Sequence, residues 1–171
     1  DVNGNYDGQI DSDDRVAIGH PTIPEIIYGF GPSITWKKWD FSVFFQGQAN
    51  VSLMMSGFEP FGTQSKNNVL EWIAEDYWSK ENQNPNAKYP RLTKYNNNMQ
   101  SSTYWLRNAA FLKLKNAEVG YNFKWGRVYM SGTNLLTFSP FKLWDPEMGG
   151  GKGMAYPTQR TFNLGVQITF K

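Results

Sequence analysis

Oxygen-bearing side chains recur at every second position near the start of the chain, in DVNGNYDGQIDSDD. This spacing is typical of the EF-hand calcium loop, which reads D-x-[DN]-x-[DN]-G and ends on a carboxylate at its twelfth position. A loop that begins at Asp1 places Tyr6 where the sharp turn requires glycine. A loop that begins at Asn3 places Gly8 at that point, so the second register fits better.

In this second register, six residues place oxygen atoms at ligand positions. They are Asn3, Asn5, Asp7, Gln9, Asp11 and Asp14. Hard oxygen ligands at this spacing suit Ca²⁺, because the turn folds them around one centre. Asn at the first position and the short Asp at the last position predict a structural site of modest affinity. The alternative is a polar turn rich in Asn and Asp that binds no metal.

The composition argues against an enzyme. There is no cysteine, and a single histidine, His20, cannot build a His-based metal site or a catalytic triad. Glu75 and Asp76 are neighbours that would point apart on a helix, and the run Gly149–Gly151 before Lys152 lacks the spacing of a phosphate loop. The net charge of +2 gives no strong attraction to nucleic acid. We therefore expect neither catalysis nor a nucleic-acid partner.

Apolar and polar residues are interleaved along the chain. Its 171 residues suit one domain, and no apolar run reaches the length of a transmembrane helix. The mean hydropathy is −0.56, although 16% of the residues are aromatic. A polar average with many aromatics favours β-strands that have one wet face.

The last segment, TFNLGVQITFK, shows this alternation most clearly. It predicts a final strand over 160–171 with one apolar face. The residues of that face are Phe162, Leu164, Val166, Ile168 and Phe170.

Four more segments alternate in the same way: IIYGFGPSITW, FSVFFQGQA, FLKLKNAEVGYNF and RVYMSGT. Pro32 interrupts the first and predicts a bulge or an edge. In the third segment, Leu112 and Leu114 are out of phase with Ala117. This predicts either a bulge near Lys115–Asn116 or a strand that moves into another environment.

The connections between these strands alternate in length. The stretches 1–24, 50–108 and 137–159 are long, whereas the turns Lys37–Asp40 and Lys124–Arg127 are short. Up-and-down strands would place every short turn at one end and every long loop at the other, as in transmembrane β-barrels. The polar face would then line a lumen and the apolar face would meet lipid.

Three tryptophans near the short turns support a barrel. Trp36, Trp39 and Trp125 stand where an interfacial aromatic girdle is expected. A soluble β-sandwich also has alternating strands, but loops longer than about 15 residues are uncommon in compact domains. The pattern favours the barrel over the sandwich.

The long middle loop contains one predicted helix. NNVLEWIAEDYW predicts a helix over about 68–78, with Asn68 as N-cap and Glu71 three residues later in a capping-box arrangement. The rest of this loop is rich in Asn and Pro and is predicted to be irregular.

Several blocks of sequence resemble the C-terminal barrel of SusC/RagA-type TonB-linked outer membrane proteins. They include DGQIDSDDRVAIGHPTIPEIIYGFG, WDFSVFFQGQ, YWSKENQNPNAKYPRL, YWLRNAAFLKLKNAEVGY, SGTNLLTFSPFKLWDPEMGGG and YPTQRTFNLGVQITF. The blocks follow in order over nearly the whole chain. The resemblance implies an all-β fold in which 1–171 is the C-terminal part of a large transmembrane barrel, with about five to six antiparallel strands.

The same resemblance implies a function and partners. Proteins of this family import oligosaccharides or peptides across the outer membrane of Gram-negative, Bacteroidetes-like bacteria. They are driven through TonB by way of a plug that this chain lacks, and they work with a SusD-like lipoprotein lid. The aromatic end at Phe170 is similar to the signal by which the barrel assembly machinery recognises its clients, and Lys171 after it departs from that pattern. The alternative from the residues alone is a soluble, calcium-stabilised all-β module that binds carbohydrate.

Overall fold

Antiparallel strands dominate the fold, as a computed structural model shows for residues 8, 11–56, 69–93, 98 and 100–170. At Trp72 the description covers the main chain alone. The strands are β1 Ile26–Phe30, β2 Ser33–Trp36, β3 Trp39–Ala49, β4 Ser52–Met54, β5 Leu106–Asn108, β6 Phe111–Phe123, β7 Gly126–Phe138 and β8 Thr161–Ile168. One short helix, α1, covers Glu71–Ala74, and 3₁₀ turns cover Ser12–Asp14 and Pro146–Met148.

The strands form two sheets. In the main sheet the order is β1-β3-β6-β7-β8, and β2 also pairs with β3. In the smaller sheet β4 pairs with β5, and every strand pair of both sheets is antiparallel. The main sheet therefore confirms the predicted up-and-down arrangement.

Of the two predictions at Pro32, a bulge or an edge, the structure shows the edge, because β1 and β2 lie at one side of the main sheet and pair with β3 alone. β1 pairs with the second half of β3 and β2 with the first half, so both are pieces of one interrupted strand. Proline has no N–H to donate to a ladder. Its carbonyl still accepts a hydrogen bond from the Val43 N–H at 3.1 Å, which holds the break against β3.

The predicted bulge in the third segment is also confirmed. The register of β6 against β3 shifts between Leu114 and Asn116, whose partners Phe45 and Phe44 are adjacent, so that Lys115 is the additional residue. An additional residue reverses the phase of a strand, since its side chains alternate between faces. Leu112 and Leu114 thereby come to the same face as Ala117.

Both predicted short turns are two-residue hairpins. Lys37 and Lys38 link Trp36 to its partner Trp39, and Lys124–Trp125 link β6 to β7. Two-residue loops fix the strand register because a loop this short allows only one pairing of the strands that it joins. The two turns are neighbours, since the Asn122 N–H donates to the Lys38 carbonyl at 2.7 Å.

The prediction of a helix over 68–78 was too long. The helix covers only Glu71–Ala74, and its N-cap is Leu70, which makes no side-chain capping bond. The predicted cap Asn68 lies outside the described residues. Beyond the helix, Asp76 and Trp78 bond to the main chain of Tyr89, and this pairing takes the backbone groups that another helical turn would need.

The final strand is shorter than the predicted 160–171. It covers Thr161–Ile168, although the Thr169 N–H still donates to the Trp125 carbonyl at 3.0 Å. The sheet of β4 and β5 was not predicted at all. It lies inside the long connection 50–108, which was expected to hold only a helix and irregular chain.

Candidate functional site

The main sheet has an apolar face that is open to its surroundings. In β8, exposure ranges from 55% at Ile168 to 78% at Leu164. Across the sheet, the exposed members of this face include Phe41, Val128, Met130, Phe162, Leu164, Val166 and Ile168. Phe170 lies just beyond β8 and is also exposed. So many exposed large apolar side chains on one face of a sheet are unusual for a protein surrounded by water.

The three predicted girdle tryptophans all lie at the short-turn end of this sheet. Trp36, Trp39 and Trp125 are exposed. Trp39 packs edge-on against Tyr121 with ring centroids 5.0 Å apart, and Trp125 packs edge-on against Phe123 at 5.7 Å. These contacts fix the orientation of the indoles while leaving one side of each open.

On the opposite, polar face, charged residues from three strands meet near the short turns. We call Asp40, Glu118, Asn122 and Arg127 the Arg127 cluster. The Arg127 guanidinium binds the Asp40 carboxylate through Nε at 3.1 Å and through Nη2, and it binds Glu118 at 2.5 Å. Asn122 donates to Asp40 at 2.6 Å. Because the Arg127 cluster contains two carboxylates and one guanidinium, it carries one net negative charge on the polar face of the sheet.

A glycine makes the Arg127 cluster possible. Gly120 lies opposite Asp40 on β3 and opposite Tyr129 on β7. A Cβ at Gly120 would lie 2.4 Å from the Arg127 guanidinium, so the missing side chain opens the path from β7 to β3. The same guanidinium lies 4.9 Å from the centre of the Tyr129 ring, in a cation–π contact.

A second charged group lies where the sheet meets the long loops. We call Lys113, Lys115, Asp145 and Glu147 the Lys113 cluster. Lys113 is fully buried, and its ammonium binds Asp145 at 2.6 Å and also binds Glu147. Lys115 binds the other oxygen of Glu147 at 2.6 Å. A buried charge is stable only when it is paired, so the loop that carries the two acids is fastened to β6.

The two acids of the Lys113 cluster lie in the loop after β7, outside the strands. Burial raises the pKa of each carboxyl, but the hydrogen bond from Lys113 works in the opposite direction. Additional hydrogen bonds, from the Glu147 N–H to Asp145 and from Lys115 to Glu147, lower each pKa further. The net result is a pKa below the ordinary value for both groups. Both acids therefore stay ionised at neutral pH.

The long loops contain their own hydrophobic core, which we call the loop cluster. Its fully buried members are Val51, Leu53, Met55, Ile73, Tyr89, Trp105, Ala109 and Phe141. They come from the two connections that follow β3 and β7. Burial is strong enough to raise the pKa of Tyr89 to about 12, so its phenol stays neutral.

Main-chain bonds join these two connections. Gly151 donates to the Met54 carbonyl at 2.9 Å and accepts from the Ser56 N–H at 3.0 Å. A Cβ at Gly150 would lie 2.5 Å from the Met54 carbonyl oxygen, and Gly151 has φ of +92°. Only glycine permits this close approach and this backbone conformation at low cost. The glycine run, which fits no phosphate loop, therefore joins the two loops.

Of the six predicted calcium ligands, the structure describes two. Asn3, Asn5, Asp7 and Gln9 lie outside the described residues. Asp11 caps the 3₁₀ turn by accepting from the Asp13 N–H at 2.9 Å, and Asp14 accepts from the Asp11 N–H at 2.8 Å. The second bond is the main cause that lowers the pKa of Asp14. Both carboxylates are exposed or nearly so and lie on the same turn.

In the described ranges, the acidic and histidine side chains form no metal-binding cluster. No group of three or more His, Asp or Glu side chains there could hold a metal ion. Within the same ranges, no helix is long and apolar enough to cross a membrane. His20 stands 3.9 Å from Glu25 at the surface, and Asp76 pairs with Lys88.

Sequence reasoning missed the charged residues that the structure brings together. Asp40, Glu118 and Arg127 were seen only as polar positions of alternating strands or as turn residues. Their pairing depends on the register across β3, β6 and β7, which a single sequence does not specify. One usable signal was the strict period of two, because it places Glu118 and Asn122 on the same face.

Comparison with known proteins gives a consistent result. No protein-family profile matches the chain. A TonB-dependent receptor of Formosa agariphila is 32% identical over 97% of this chain, and TonB-dependent receptor SusC of Bacteroides thetaiotaomicron is 27% identical over 99% of it. The aligned part is only 19% and 17% of those relatives, so the chain spans about a fifth of their length.

Solved structures agree with the sequence matches. The RagAB peptide transporter superimposes with a TM-score of 0.75 and 25% identity over 95% of this chain, which is 19% of the matched chain. The RagAB peptide importer in its closed-closed state gives a TM-score of 0.74 with the same identity and coverage. The antiparallel sheet thus matches a segment of such a transporter.

Proposed function

We propose that this chain, a relative of SusC-type TonB-dependent receptors along nearly its whole length, is part of an outer-membrane β-barrel that imports nutrients. The observation that carries the proposal is the two-faced sheet. Its apolar face is exposed, whereas its polar face carries a paired charge cluster. Lipid outside and water inside would satisfy both faces, because lipid-facing and lumen-facing residues alternate in such barrels.

The direction of the strands follows from the same assignment. Short turns of outer-membrane barrels are periplasmic and long loops are extracellular. Trp36, Trp39 and Trp125 then form the periplasmic girdle, and Phe162, Leu164, Val166, Ile168 and Phe170 face lipid. The loop cluster and the Lys113 cluster lie outside the cell. These loops form a platform that is already packed, so we expect them to stay in place during transport.

The proposed partners and cargo follow the relatives. We propose a SusD-like lipoprotein that covers the extracellular loops and a TonB complex that acts through parts of the protein beyond this chain. The cargo is an oligosaccharide or a peptide. One solved relative is described as a peptide transporter, so both classes belong in the experiment. The relatives are named as receptors or transporters and not as enzymes.

We also propose that Ca²⁺ stiffens the first loop on the extracellular side. Asn3, Asn5, Asp7 and Gln9 would join Asp11 and Asp14 as ligands. Asp11 and Asp14 are already held on one turn by main-chain N–H groups, which supports a common centre for their carboxylates. Calcium should protect the amides of residues 11–15 from hydrogen exchange, and Asp14→Asn should remove that protection. If calcium left the hydrogen exchange of these amides unchanged, the proposed calcium site would be contradicted.

The test of the main proposal uses the intact protein that contains this chain. It should fractionate with the outer membrane, and its migration on a gel should change on heating, as folded barrels do. Deletion of its gene should abolish growth on one cargo class, and a lipoprotein should co-purify with it. A water-soluble monomer that binds glycans would contradict the proposal and favour the calcium-stabilised carbohydrate-binding module.

A further inference from the structure

Three lysines crowd the short-turn end of the sheet next to the girdle tryptophans. Lys37 and Lys38 form one hairpin turn, Lys124 begins the neighbouring turn, and all three are exposed. The turns are in contact, because Asn122, two residues before Lys124, donates to the Lys38 carbonyl from both its main chain and its side chain. Three positive charges thus stand on one small edge of the sheet.

These lysines have no acidic partner within the described part of the chain. The ion pairs found there involve His20, Lys88, Lys113, Lys115 and Arg127. Asp40 is the carboxylate nearest in sequence to Lys37 and Lys38, and Glu118 is the one nearest to Lys124. Both lie on the polar face and are bound by Arg127. The ammonium of Lys37 lies over the Trp36 ring, 4.9 Å from its centre. The charge of this edge is therefore available to an anion outside the chain.

An apolar groove lies on the apolar face of the sheet and begins at Phe41, three residues along the chain from Lys38. It has a volume of about 230 Å³ and is lined by Phe41, Val43, Ala117, Val119, Met130 and Phe162. The side chains at the floor of the groove are small, because Ala117 and Gly132 are partners in the register of β6 and β7. Phe41 at its near end stacks against Trp39 with ring centroids 6.3 Å apart, so the groove continues the aromatic girdle.

The size and distance of the groove suit a hydrocarbon chain. An apolar cavity of about 150 Å³ in a protein can bind benzene, and this groove is larger. From Lys38 to Val43 the strand advances about 17 Å, at about 3.3 Å per residue. A ligand with an anionic head at the turn and an acyl tail along β3 would satisfy both features at once.

We propose that this surface binds an anionic phospholipid of the periplasmic leaflet. Its phosphate would contact Lys37, Lys38 and Lys124, and one acyl chain would pass Trp39 and Phe41 into the groove. The proposal rests on the proposed function, since it requires the apolar face to meet a bilayer. Charge complementarity selects the lipid: a second copy of this chain would bring three like charges to the same edge.

The test compares lipids around the intact protein in nanodiscs. Brominated phosphatidylglycerol or brominated phosphatidylcholine is added as a minor component of a phosphatidylcholine bilayer, and quenching of tryptophan fluorescence reports which lipid lies against the girdle. We expect stronger quenching by the anionic lipid. Changing Lys37, Lys38 and Lys124 to Gln should weaken that preference by about fivefold for each lysine. Changing them to Arg should preserve it.

A matched control removes the same number of charges elsewhere. Lys80, Lys142 and Lys152 are exposed and lie in the long loops, so their change to Gln should leave the preference intact. Ala117→Phe should fill the groove and reduce quenching by the anionic lipid while the three lysines remain. High inorganic phosphate should not displace the lipid, because a free anion lacks the acyl chain.

Failure of this proposal can be distinguished from failure of the proposed function, because barrel insertion and lipid preference are measured separately. Heat-modifiable migration is measured on every variant, and loss of barrel insertion in the unmodified protein would overturn both proposals. An inserted protein that shows no preference for the anionic lipid would overturn this one alone. So would an equal loss in the long-loop control, displacement by phosphate, or a protein partner that occupies the surface and excludes lipid.

Discussion

Tryptophan has opposite surroundings in two regions of this molecule. At the short turns, Trp36 and Trp125 are more than 60% exposed, whereas Trp105 in the loop cluster is 3% exposed. The same contrast holds for methionine, since Met130 on the sheet is 54% exposed and Met55 in the loop cluster is 1% exposed. The loop cluster hides its apolar groups as a water-soluble domain does, and the sheet does the reverse.

Under the proposed function, this contrast reflects two different solvents. The loop cluster gains stability from removing apolar area from water. The sheet gains little in that way, and its strands are held by the ladder of main-chain hydrogen bonds. In lipid such bonds are obligatory, because no water replaces a lost partner. On this proposal, a single sequence contains loops that face water and a sheet that faces lipid, joined at the Lys113 cluster.

The largest expected effect is at this junction. Lys113→Met removes the buried ammonium and leaves Asp145 without its partner, which should destabilise the packed loop by about 3–5 kcal/mol. Hydrogen exchange of residues 139–151 in the intact protein measures this opening. Lys115→Met is the control, since Lys115 is partly exposed and its pair should contribute about 1 kcal/mol or less. Equal effects of the two changes would contradict the claim that Lys113 fastens this loop to β6.

The second prediction compares methionines in the two regions. Met55→Ala should destabilise the loop cluster by about 2–5 kcal/mol, because it leaves a cavity in a packed core. Met130→Ala should cost far less, since its side chain faces outward and lipid can fill the space. Hydrogen exchange of β4 and β5 reports the first change, and the unfolding midpoint of the inserted barrel reports the second. A larger cost at Met130 would reverse the comparison.

The third prediction concerns the apolar face of the sheet. Leu164→Arg places a charge in the middle of β8 and should destabilise the inserted barrel by about 2–4 kcal/mol. Asn163→Arg is the matched control, because the neighbouring residue points to the polar face. Urea unfolding in lipid vesicles measures both variants. Equal tolerance of the two arginines would mean that β8 has no lipid side.

The smallest expected effect is a response to acid. Asp145 and Glu147 have lowered pKa values, so their contribution is complete above the ordinary values of 3.8 and 4.5 and is lost as pH falls through the lower folded values. The protection factor of residues 139–151, which is the slowing of exchange relative to an unstructured chain at the same pH, should therefore fall below about pH 4, while the main sheet keeps its protection. A fall in this protection factor already at pH 6 would contradict this assignment.

Sequence periodicity predicted most of the sheet because burial on one face leaves a period of two. It located the break at Pro32, both hairpin turns and the bulge at Lys115. It overestimated the helix at Glu71–Ala74, because the pairing of residues 76–78 with Tyr89 ends the helical pattern and depends on distant contacts. The sheet of β4 and β5 was missed for the same reason, since its two strands are separated by more than 50 residues.

The functional groups were harder to predict than the strands. Arg127 reaches Asp40 across 87 residues of sequence and only because Gly120 leaves the space open. Lys113 finds its partners 32 and 34 residues away, in a loop whose course has no periodic signal. The exposed tryptophans at the short turns and the apolar face of β8 could be located because each follows from local order along the strand.

The most direct test of the two-solvent account is a spin-label scan along β8 in the intact, membrane-inserted protein. The chain contains no cysteine, so single cysteines at positions 161–168 give clean labelling sites once any cysteine outside it is replaced. The account predicts that oxygen, which concentrates in lipid, reaches positions 162, 164, 166 and 168, and that a water-soluble nickel complex reaches positions 161, 163, 165 and 167. Uniform access of the nickel complex to all eight positions would contradict it.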